Sequence, residues 1–201
     1  MEQGVAGMIE VRDLTLSFGD KLVLDHFSLP IPPSGITALS GPSGCGKTTL
    51  MRCIAGLEHP QQGSISGILP QETAFLFQEN RLLPWRTVEE HITDVLPSNR
   101  QQEVDFFLEL AQLTQERNQY PRQLSGGMAR RLAFARCMAL EAKLYLLDEP
   151  FTGIDLDRTQ RLMDYLSSLS APVLLSTHEP DVLTMAHRVI RLDGPPLTIQ
   201  D

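Results

Sequence analysis

Apolar and polar residues alternate along the first part of the chain, with the period of a β-strand that buries one of its faces. The alternation begins at Ile9, continues to Ile31, and is interrupted at Gly19-Asp20, a dipeptide that favours a hairpin turn. We therefore predict an antiparallel β region near the amino-terminal end.

Further along, short and continuous apolar runs alternate with segments of helical periodicity. The apolar runs predict strands at 36–39, 63–68, 73–77, 144–147, 173–176 and 189–192. The periodic segments predict helices at 49–55, 87–95, 104 to about 118, 128–141 and 158–169, with a short helix after Pro180. Short apolar strands that alternate with helices indicate an α/β core with a mainly parallel sheet.

The stretch from 79 to 123 differs from the rest because it contains helical patterns and no strand signal. Thr87-Val88-Glu89-Glu90 forms a capping box at the start of its first helix. We predict a single domain of 201 residues, in which 1–78 and 124–201 form the core and 79–123 form an inserted helical lobe.

The clearest chemical signal matches the phosphate-binding pattern G-x-x-x-x-G-K-[ST] and lies between a predicted strand and a predicted helix. In such a loop, backbone N–H groups point at phosphate oxygens, Lys47 reaches the β- and γ-phosphates, and Thr48 offers its hydroxyl to Mg²⁺. The predicted nucleotide-binding residues are Gly41, Pro42, Ser43, Gly44, Cys45, Gly46, Lys47, Thr48 and Thr49.

Three cysteines, Cys45, Cys53 and Cys137, are odd in number and lack the spacing of metal ligands. They are typical of reduced thiols. Because Cys45 lies at a predicted helix N-terminus, where the helix dipole favours the thiolate, we expect its alkylation to block nucleotide binding.

Charge and hydropathy limit the possible partners. The net charge is −8, so the chain offers no overall basic field for nucleic acid. No apolar run is long enough to span a bilayer, and the first residues lack the features of a secretion signal. We expect a cytosolic protein that reaches a membrane only through partners.

A second chemical signal is the carboxylate pair Asp148-Glu149, which follows the apolar run at 144–147. The carboxyl end of a parallel strand is where α/β folds place ligands. At that position Asp148 suits a Mg²⁺ ligand, usually through water, and Glu149 suits the polarisation of the water that attacks the γ-phosphorus.

Leu124-Ser125-Gly126-Gly127-Met128 resembles the signature of the ATP-binding-cassette (ABC) ATPases, and the other motifs occur in that family's order. The resemblance covers nearly the whole chain and implies a P-loop NTPase (RecA-like) core. It implies that Phe18 stacks on adenine, that 41–49 is the Walker A loop, and that Gln78 contacts Mg²⁺ and senses the γ-phosphate. It also implies that Asp148 and Glu149 are Walker B and the catalytic base. Asp155 would belong to the D-loop, and His178 would be the switch histidine.

The signature has the same physical logic as the phosphate loop, since Ser125, Gly126 and Gly127 expose N–H groups at a helix N-terminus. The family resemblance implies a head-to-tail dimer, most simply of identical subunits, in which each signature closes over the ATP of the partner. Arg130 departs from the family's common Gln. We expect Arg130-Arg131 to be a solvated helix face with some phosphate-facing character, and Arg130 to touch no catalytic group.

Residues 77–85, together with Met128, resemble the nitrate/sulfonate/taurine importer group, which includes thiamine-precursor systems. The resemblance implies permease subunits, a substrate-binding protein and a position on the cytoplasmic face of the membrane. Leu82, Leu83 and Trp85 either line the groove that receives the permease or fill the core of the helical lobe.

Two other functions stay open. One is an ATPase of this family that drives export, lipid or lipoprotein extraction, or a soluble assembly machine. The other is a nucleotide sensor without turnover, which the presence of Glu149 and His178 disfavours. The sequence does not identify a transported substrate.

Overall fold

The computed structural model describes residues 7–200, so the domain limits predicted at residues 1 and 201 lie outside the described range. The strands are β1 (Ile9–Phe18), β2 (Lys21–Ile31), β3 (Ile36–Ser40), β4 (Gln62–Ser66), β5 (Thr73–Leu76), β6 (Leu144–Asp148), β7 (Val173–Ser176), β8 (Arg188–Asp193) and β9 (Thr198–Gln200). The α-helices are α1 (Lys47–Ile54), α2 (Val88–Thr93), α3 (Val104–Leu110), α4 (Gly126–Met138), α5 (Leu156–Ser168) and α6 (Pro180–Met185).

The central sheet has the strand order β5-β6-β7-β3-β8-β9. Its first five strands run parallel to one another, and β9 pairs antiparallel with β8. The mainly parallel sheet that the sequence predicts is confirmed. The closing hairpin of β8 and β9 was not predicted, because its last strand has only three residues, all of them exposed.

Helices cover one face of this sheet, and the amino-terminal β region with α1 covers the other. In β6, Leu147 belongs to the hydrophobic cluster shared with α2 to α5, whereas Leu146 belongs to the cluster shared with α1 and the antiparallel strands. Strands buried on both faces are apolar at almost every position. This burial accounts for the continuous apolar runs in the sequence.

The amino-terminal sheet has the order β2-β1-β4, and both of its pairings are antiparallel. The turn at Gly19-Asp20 joins β1 to β2, as the alternation predicts. The predicted segment at 63–68 becomes β4, the edge strand of this sheet.

Several helices are shorter than periodicity predicts. The third helix ends at Leu110 instead of near 118, because Gln112 takes a φ of 53° and the chain then turns. Similarly, α4 ends at Met138 instead of 141, and α2 ends at Thr93 instead of 95. The capping box is confirmed, since Thr87 Oγ1 accepts from Glu90 N at 3.3 Å while Glu90 Oε2 accepts from Thr87 N at 2.7 Å. Within residues 7–200, no helix has the length and apolarity needed to cross a membrane.

Candidate active site

Four parallel strands bring the predicted chemical groups to one edge of the central sheet. The phosphate loop follows β3, Gln78 follows β5, Asp148 ends β6, and His178 follows β7. Because β3, β5, β6 and β7 are parallel, their carboxyl ends meet at this edge. Motifs as far apart in the sequence as Lys47 and His178 therefore meet at this edge of the sheet.

The phosphate loop curls tightly around the lysine side chain. Gly46 is the N-cap of α1 with a φ of 123°, a conformation that side chains with a Cβ rarely adopt. Lys47 is buried, and its Nζ donates to Gly41 O at 2.7 Å and to Pro42 O at 3.0 Å. Gly41 itself lies against β8, where a Cβ would come within 2.4 Å of Leu192 O.

Cys45 does not present its thiol to solvent, contrary to the reactivity expected from its position in the loop. The residue is 1% exposed, and its side chain belongs to the hydrophobic cluster beneath the amino-terminal β region. An alkylating reagent reacts with a cysteine sulfur only where that sulfur is accessible. The sequence placed Cys45 at a helix N-terminus correctly, but the loop directs its side chain into the core.

Three oxygen-bearing side chains form a hydrogen-bonded row beside the phosphate loop. Thr48 Oγ1 donates to Asp148 Oδ2 at 2.7 Å, and Ser176 Oγ donates to Asp148 Oδ1 at 2.6 Å. Asp148 and Ser176 are buried, so these two bonds hold both oxygens of the carboxylate in fixed directions.

Glu149 and His178 form a contact pair at the same edge. The Nδ1 atom of His178 lies 3.1 Å from Glu149 Oε2 and 3.2 Å from Oε1. The Glu149 carboxylate is mostly buried, whereas the imidazole is mostly exposed. Glu149 has a φ of 49°, and its N–H is held by Ser176 O at 3.2 Å and Ser176 Oγ at 3.0 Å. The backbone of β7 thus supports an uncommon conformation at Glu149.

Residues of the phosphate loop and the Asp148-Glu149 pair, but not His178, line a cleft of about 320 Å³, a size typical of small-molecule sites. Phe18 stands at its mouth and is 49% exposed, in a position open to a planar ligand. Gln78 reaches the cleft from the end of β5. Lys21 and Val23, which the sequence did not single out, complete the wall beside Phe18. Both follow the hairpin turn, so no local motif marks them.

A second cleft lies at the N-terminus of α4 and is lined by Ser125, Gly127, Asp155 and their neighbours. Ser125 Oγ caps the helix by accepting from Met128 N at 3.3 Å. The backbone approaches closely here, since a Cβ at Gly127 would lie 2.7 Å from Gly153 O. The signature and the D-loop therefore pack directly against each other.

The expectation that Arg130 and Arg131 form a solvated helix face is wrong. Arg130 is 3% exposed and Arg131 is 8% exposed. Arg131 donates to Ala111 O and Gln112 O, which lie just after α3. The expectation that Arg130 touches no catalytic group is also wrong, because its guanidinium donates to the carbonyls of Asp148 and Glu149. Helical periodicity does not reveal a buried arginine whose partners lie in distant segments.

The three candidate groove residues in the segment after Gln78 differ in their burial. Leu82 packs against the hydrophobic core, whereas Leu83 is partly exposed and Trp85 is 67% exposed. His91, to which the sequence assigned no role, is buried, and its Nε2 accepts from Leu83 N at 2.8 Å. Its Nδ1–H donates to Thr87 O at 2.7 Å. Burial lowers the pKa of His91, which keeps the ring neutral for these two bonds.

The family model described as ABC transporter matches residues 24–152, which span the phosphate loop, the signature and the Asp-Glu pair. The chain belongs to the ABC transporter family. Curated relatives include the aliphatic sulfonates import ATP-binding proteins of Rhodococcus jostii and Frankia alni. The first is 36% identical over 96% of this chain and 82% of its own length. The second is 43% identical over 94% of this chain and 78% of its own length.

Solved structures of ABC ATPases are consistent with the membership of this chain in the ABC transporter family. An ATP-binding subunit of an ABC transporter superposes with a TM-score of 0.85 at 25% identity, covering 93% of this chain and 86% of that chain. A dimeric ATP-binding cassette in a post-hydrolysis state, bound to ADP and Pi, superposes with a TM-score of 0.81 at 26% identity. It covers 92% of this chain and 94% of the other. The predictions of family, fold class and ATP hydrolase activity are confirmed.

The sequence did not reveal the contacts of two further residues of this ABC ATPase's site, Ser176 and Arg130. Ser176 ends β7 opposite Asp148 in the parallel pairing of β6 and β7, and that pairing is what brings their side chains together. Arg130 stood out as a departure from the family's usual glutamine, but we expected it on a solvated helix face. Neither residue has a local motif that reports its contacts.

Proposed function

We propose that this chain is the ATP-hydrolysing subunit of an importer for aliphatic sulfonates or related small anions. Two observations support this proposal. The relatives of this chain are named as sulfonate import ATP-binding proteins and match nearly its whole length, and the cleft lies beside the motifs at the sheet edge. The main support for ATP hydrolysis at this site is the contact between Glu149 and His178 next to the hydrogen bond between Thr48 and Asp148.

In this proposal the phosphate loop binds the triphosphate of ATP and Phe18 stacks on its adenine. The backbone N–H groups of 41–49 face the phosphates, and Lys47 exchanges its bonds to Gly41 and Pro42 for bonds to the β- and γ-phosphate oxygens. The position of Lys47 in the lining of the cleft, beside the other loop residues, supports this role.

The oxygen donors fit Mg²⁺, which prefers hydroxyl, carboxylate and phosphate oxygens. Thr48, Asp148 and Gln78 line the same cleft, and the hydrogen-bonded row fixes the carboxylate of Asp148. When bound, Mg²⁺ would supply positive charge against the charge that develops on the phosphates during transfer. Asp148 and Thr48 would hold the ion, with Gln78 beside them at the end of β5.

Glu149 then acts as the base that orients and polarises the attacking water, and His178 contacts the γ-phosphate. The short contact between them keeps the His178 ring directed at the carboxylate. The proton leaves the water for Glu149 as the oxygen attacks the γ-phosphorus, and the bond to ADP breaks in line. A mostly exposed histidine beside the base suits a sensor of the γ-phosphate.

The second cleft supports a head-to-tail dimer. Ser125, Gly126 and Gly127 at the N-terminus of α4 form an anion site without a lysine, and ATP held by the partner's phosphate loop completes it. We further propose that 79–123 is a helical subdomain, which moves against the core when ATP binds. Exposed Leu83 and Trp85 then contact a permease at the cytoplasmic face, and a substrate-binding protein delivers the solute.

The mutation Glu149→Gln tests the catalytic assignment. It removes the base without changing the volume of the side chain, so we expect the rate of phosphate release to fall by about 10²- to 10⁴-fold. Binding of a fluorescent ATP analogue remains, and the ATP-bound variant accumulates as a dimer in size-exclusion chromatography. The exposed Glu141→Gln serves as the control with normal turnover. Undiminished hydrolysis by Glu149→Gln refutes the assigned base.

Transport is tested in native cells by uptake of a radiolabelled alkanesulfonate. Deletion of the gene abolishes uptake in this proposal, the wild-type gene restores it, and the Glu149→Gln gene does not. An export function or a soluble assembly machine predicts instead that uptake is unchanged by the deletion. Co-purification of a permease from detergent-solubilised membranes distinguishes these two alternatives from each other.

A further inference from the structure

The guanidinium of Arg130 joins two segments that come from different strands of the sheet. From the segment after β5 it takes three acceptors: Phe77 O at 2.7 Å from Nη1, Gln78 O at 3.2 Å and Asn80 Oδ1 at 3.2 Å. From the end of β6 it takes three backbone carbonyls: those of Asp148 at 2.6 Å, Glu149 at 2.8 Å and Pro150 at 3.1 Å.

Every nitrogen of this guanidinium is engaged. Nε, Nη1 and Nη2 carry five N–H groups, and six acceptors surround them. The side chain is almost completely buried, so water does not replace a lost partner. Burial lowers the pKa of Arg130, and the nearby Asp148 carboxylate opposes that shift. A fully bonded, planar fork holds its acceptors in one mutual geometry.

Three of the six acceptors belong to residues with a proposed role in the reaction, namely Gln78, Asp148 and Glu149. Glu149 lies at a positive φ, and its carbonyl is one of the groups that Arg130 binds. Gln78 reaches the same cleft from the other strand, and its carbonyl is bound as well. Beyond the ends of the paired strands β5 and β6, one guanidinium thus joins the backbone segments that carry the Gln78 and Glu149 side chains.

We infer that Arg130 is a positioning residue that locks Gln78 and Glu149 into one arrangement and links that arrangement to the signature helix. Arg130 lies about one and a half turns from Ser125, the N-cap of α4. When α4 shifts, the two catalytic segments shift with it. This inference rests on the proposed roles of Gln78 and Glu149.

The lock, meaning the set of six hydrogen bonds that Arg130 makes, depends on the number of N–H donors that arginine has. A glutamine at this position has two N–H donors and a lysine has three, in contrast to the five of arginine. Met fills a similar volume with no donor. The series Arg130→Lys, Arg130→Gln and Arg130→Met thus removes the lock in steps while the site stays filled.

The measurements are the steady-state kcat of the full chain with Mg²⁺ and ATP, and the Kd of a fluorescent ATP analogue. We expect Arg130→Met to lower kcat by about tenfold to a hundredfold, because small displacements of catalytic groups have effects of that size. Nucleotide affinity stays within about twofold of wild type, as expected for an interaction that acts on the transition state and not on binding. Arg130→Lys and Arg130→Gln fall between wild type and Arg130→Met.

A double-mutant cycle separates positioning from a merely structural effect. If Arg130 acts through Glu149, Arg130→Met lowers the residual single-turnover rate of the Glu149→Gln variant by a clearly smaller factor than it lowers the wild-type rate, with only the part that acts through Gln78 remaining. A loss of folded protein lowers the rate by the same factor in both backgrounds. Arg117→Gln is the control, since the contacts of Arg117 go to Glu89 and Asp105 in the helical stretch, and its turnover is normal.

Equal kcat in wild type and Arg130→Met overturns the inference, and so do equal effects of Arg130→Met in the two backgrounds. If Arg130→Met does not fold, Arg130→Lys and Arg130→Gln carry the same cycle. If Glu149→Gln alone leaves hydrolysis intact, the assigned base fails instead, and the kcat and Kd of the three single variants then decide whether Arg130 positions the site.

Discussion

Replacing Ser176 by alanine tests whether the hydrogen-bonded row around Asp148 is a structural requirement of the site. The hydroxyl of Ser176 donates to Asp148 Oδ1 at 2.6 Å and accepts from Glu149 N at 3.0 Å. Ser176 is fully buried, so the substitution introduces no compensating water from the surface. Alanine removes both bonds with a minimal change in volume.

The loss in the free energy of unfolding comes from the two hydrogen bonds of the Ser176 hydroxyl. A hydrogen bond to a charged group contributes about 1.5–3 kcal/mol to stability. Glu149 N keeps Ser176 O as an acceptor at 3.2 Å, and Asp148 keeps the bond from Thr48 Oγ1 at 2.7 Å. Asp148 Oδ1 loses its hydrogen bond, whereas the carboxylate keeps one bond through Oδ2 and Glu149 N keeps one acceptor. We therefore expect a loss of about 2 kcal/mol in the free energy of unfolding.

Urea unfolding followed by far-UV circular dichroism gives this quantity, with Ser168→Ala as the control. The Ser168 hydroxyl lies at the exposed end of α5, and its removal changes stability by less than about 0.5 kcal/mol. We also expect a higher Mg²⁺ concentration for half-maximal ATPase activity in Ser176→Ala, because one oxygen of the carboxylate that we propose as a Mg²⁺ ligand is no longer oriented. A stability loss below about 0.5 kcal/mol together with unchanged Mg²⁺ dependence refutes the reasoning.

Two further predictions concern the supports of the site. Because the pKa of buried His91 is lowered from 6.5, its contribution to stability is complete above that pH and decreases as the pH falls below it, by at most about 1.4 kcal/mol per pH unit. Urea unfolding at pH values on both sides of 6.5 measures this decrease, which His91→Gln lacks; equal pH dependence in both proteins contradicts the assignment. Gly127→Ala places a Cβ 2.7 Å from Gly153 O and lowers the unfolding free energy by about 1–3 kcal/mol, whereas Gly126→Ala meets no atom within 4 Å and does not. Equal stability of the two glycine variants in thermal melts contradicts the close packing of signature and D-loop.

The sequence alone was sufficient for features that depend on neighbours along the chain. Alternation predicted the hairpin of β1 and β2, apolar runs predicted the strands of the core, and Thr87 with Glu90 predicted a cap that the structure contains. The phosphate loop and the Asp148-Glu149 pair were recognisable because their residue types recur at fixed spacing. Such signals report local geometry, which side-chain period and backbone capping largely determine.

Other features depended on which segments become neighbours in space. The order β6-β7 places Ser176 beside Asp148, and the packing of α4 beneath the sheet edge buries Arg130 among carbonyls 18 to 53 residues away. The thiol of Cys45 likewise turns inward because α1 docks against the amino-terminal sheet. Whether a polar side chain is solvated or buried is decided by long-range packing and by the acceptors that packing supplies. For that reason the sequence named the catalytic motifs, whereas only the tertiary structure identified the residues that hold them together.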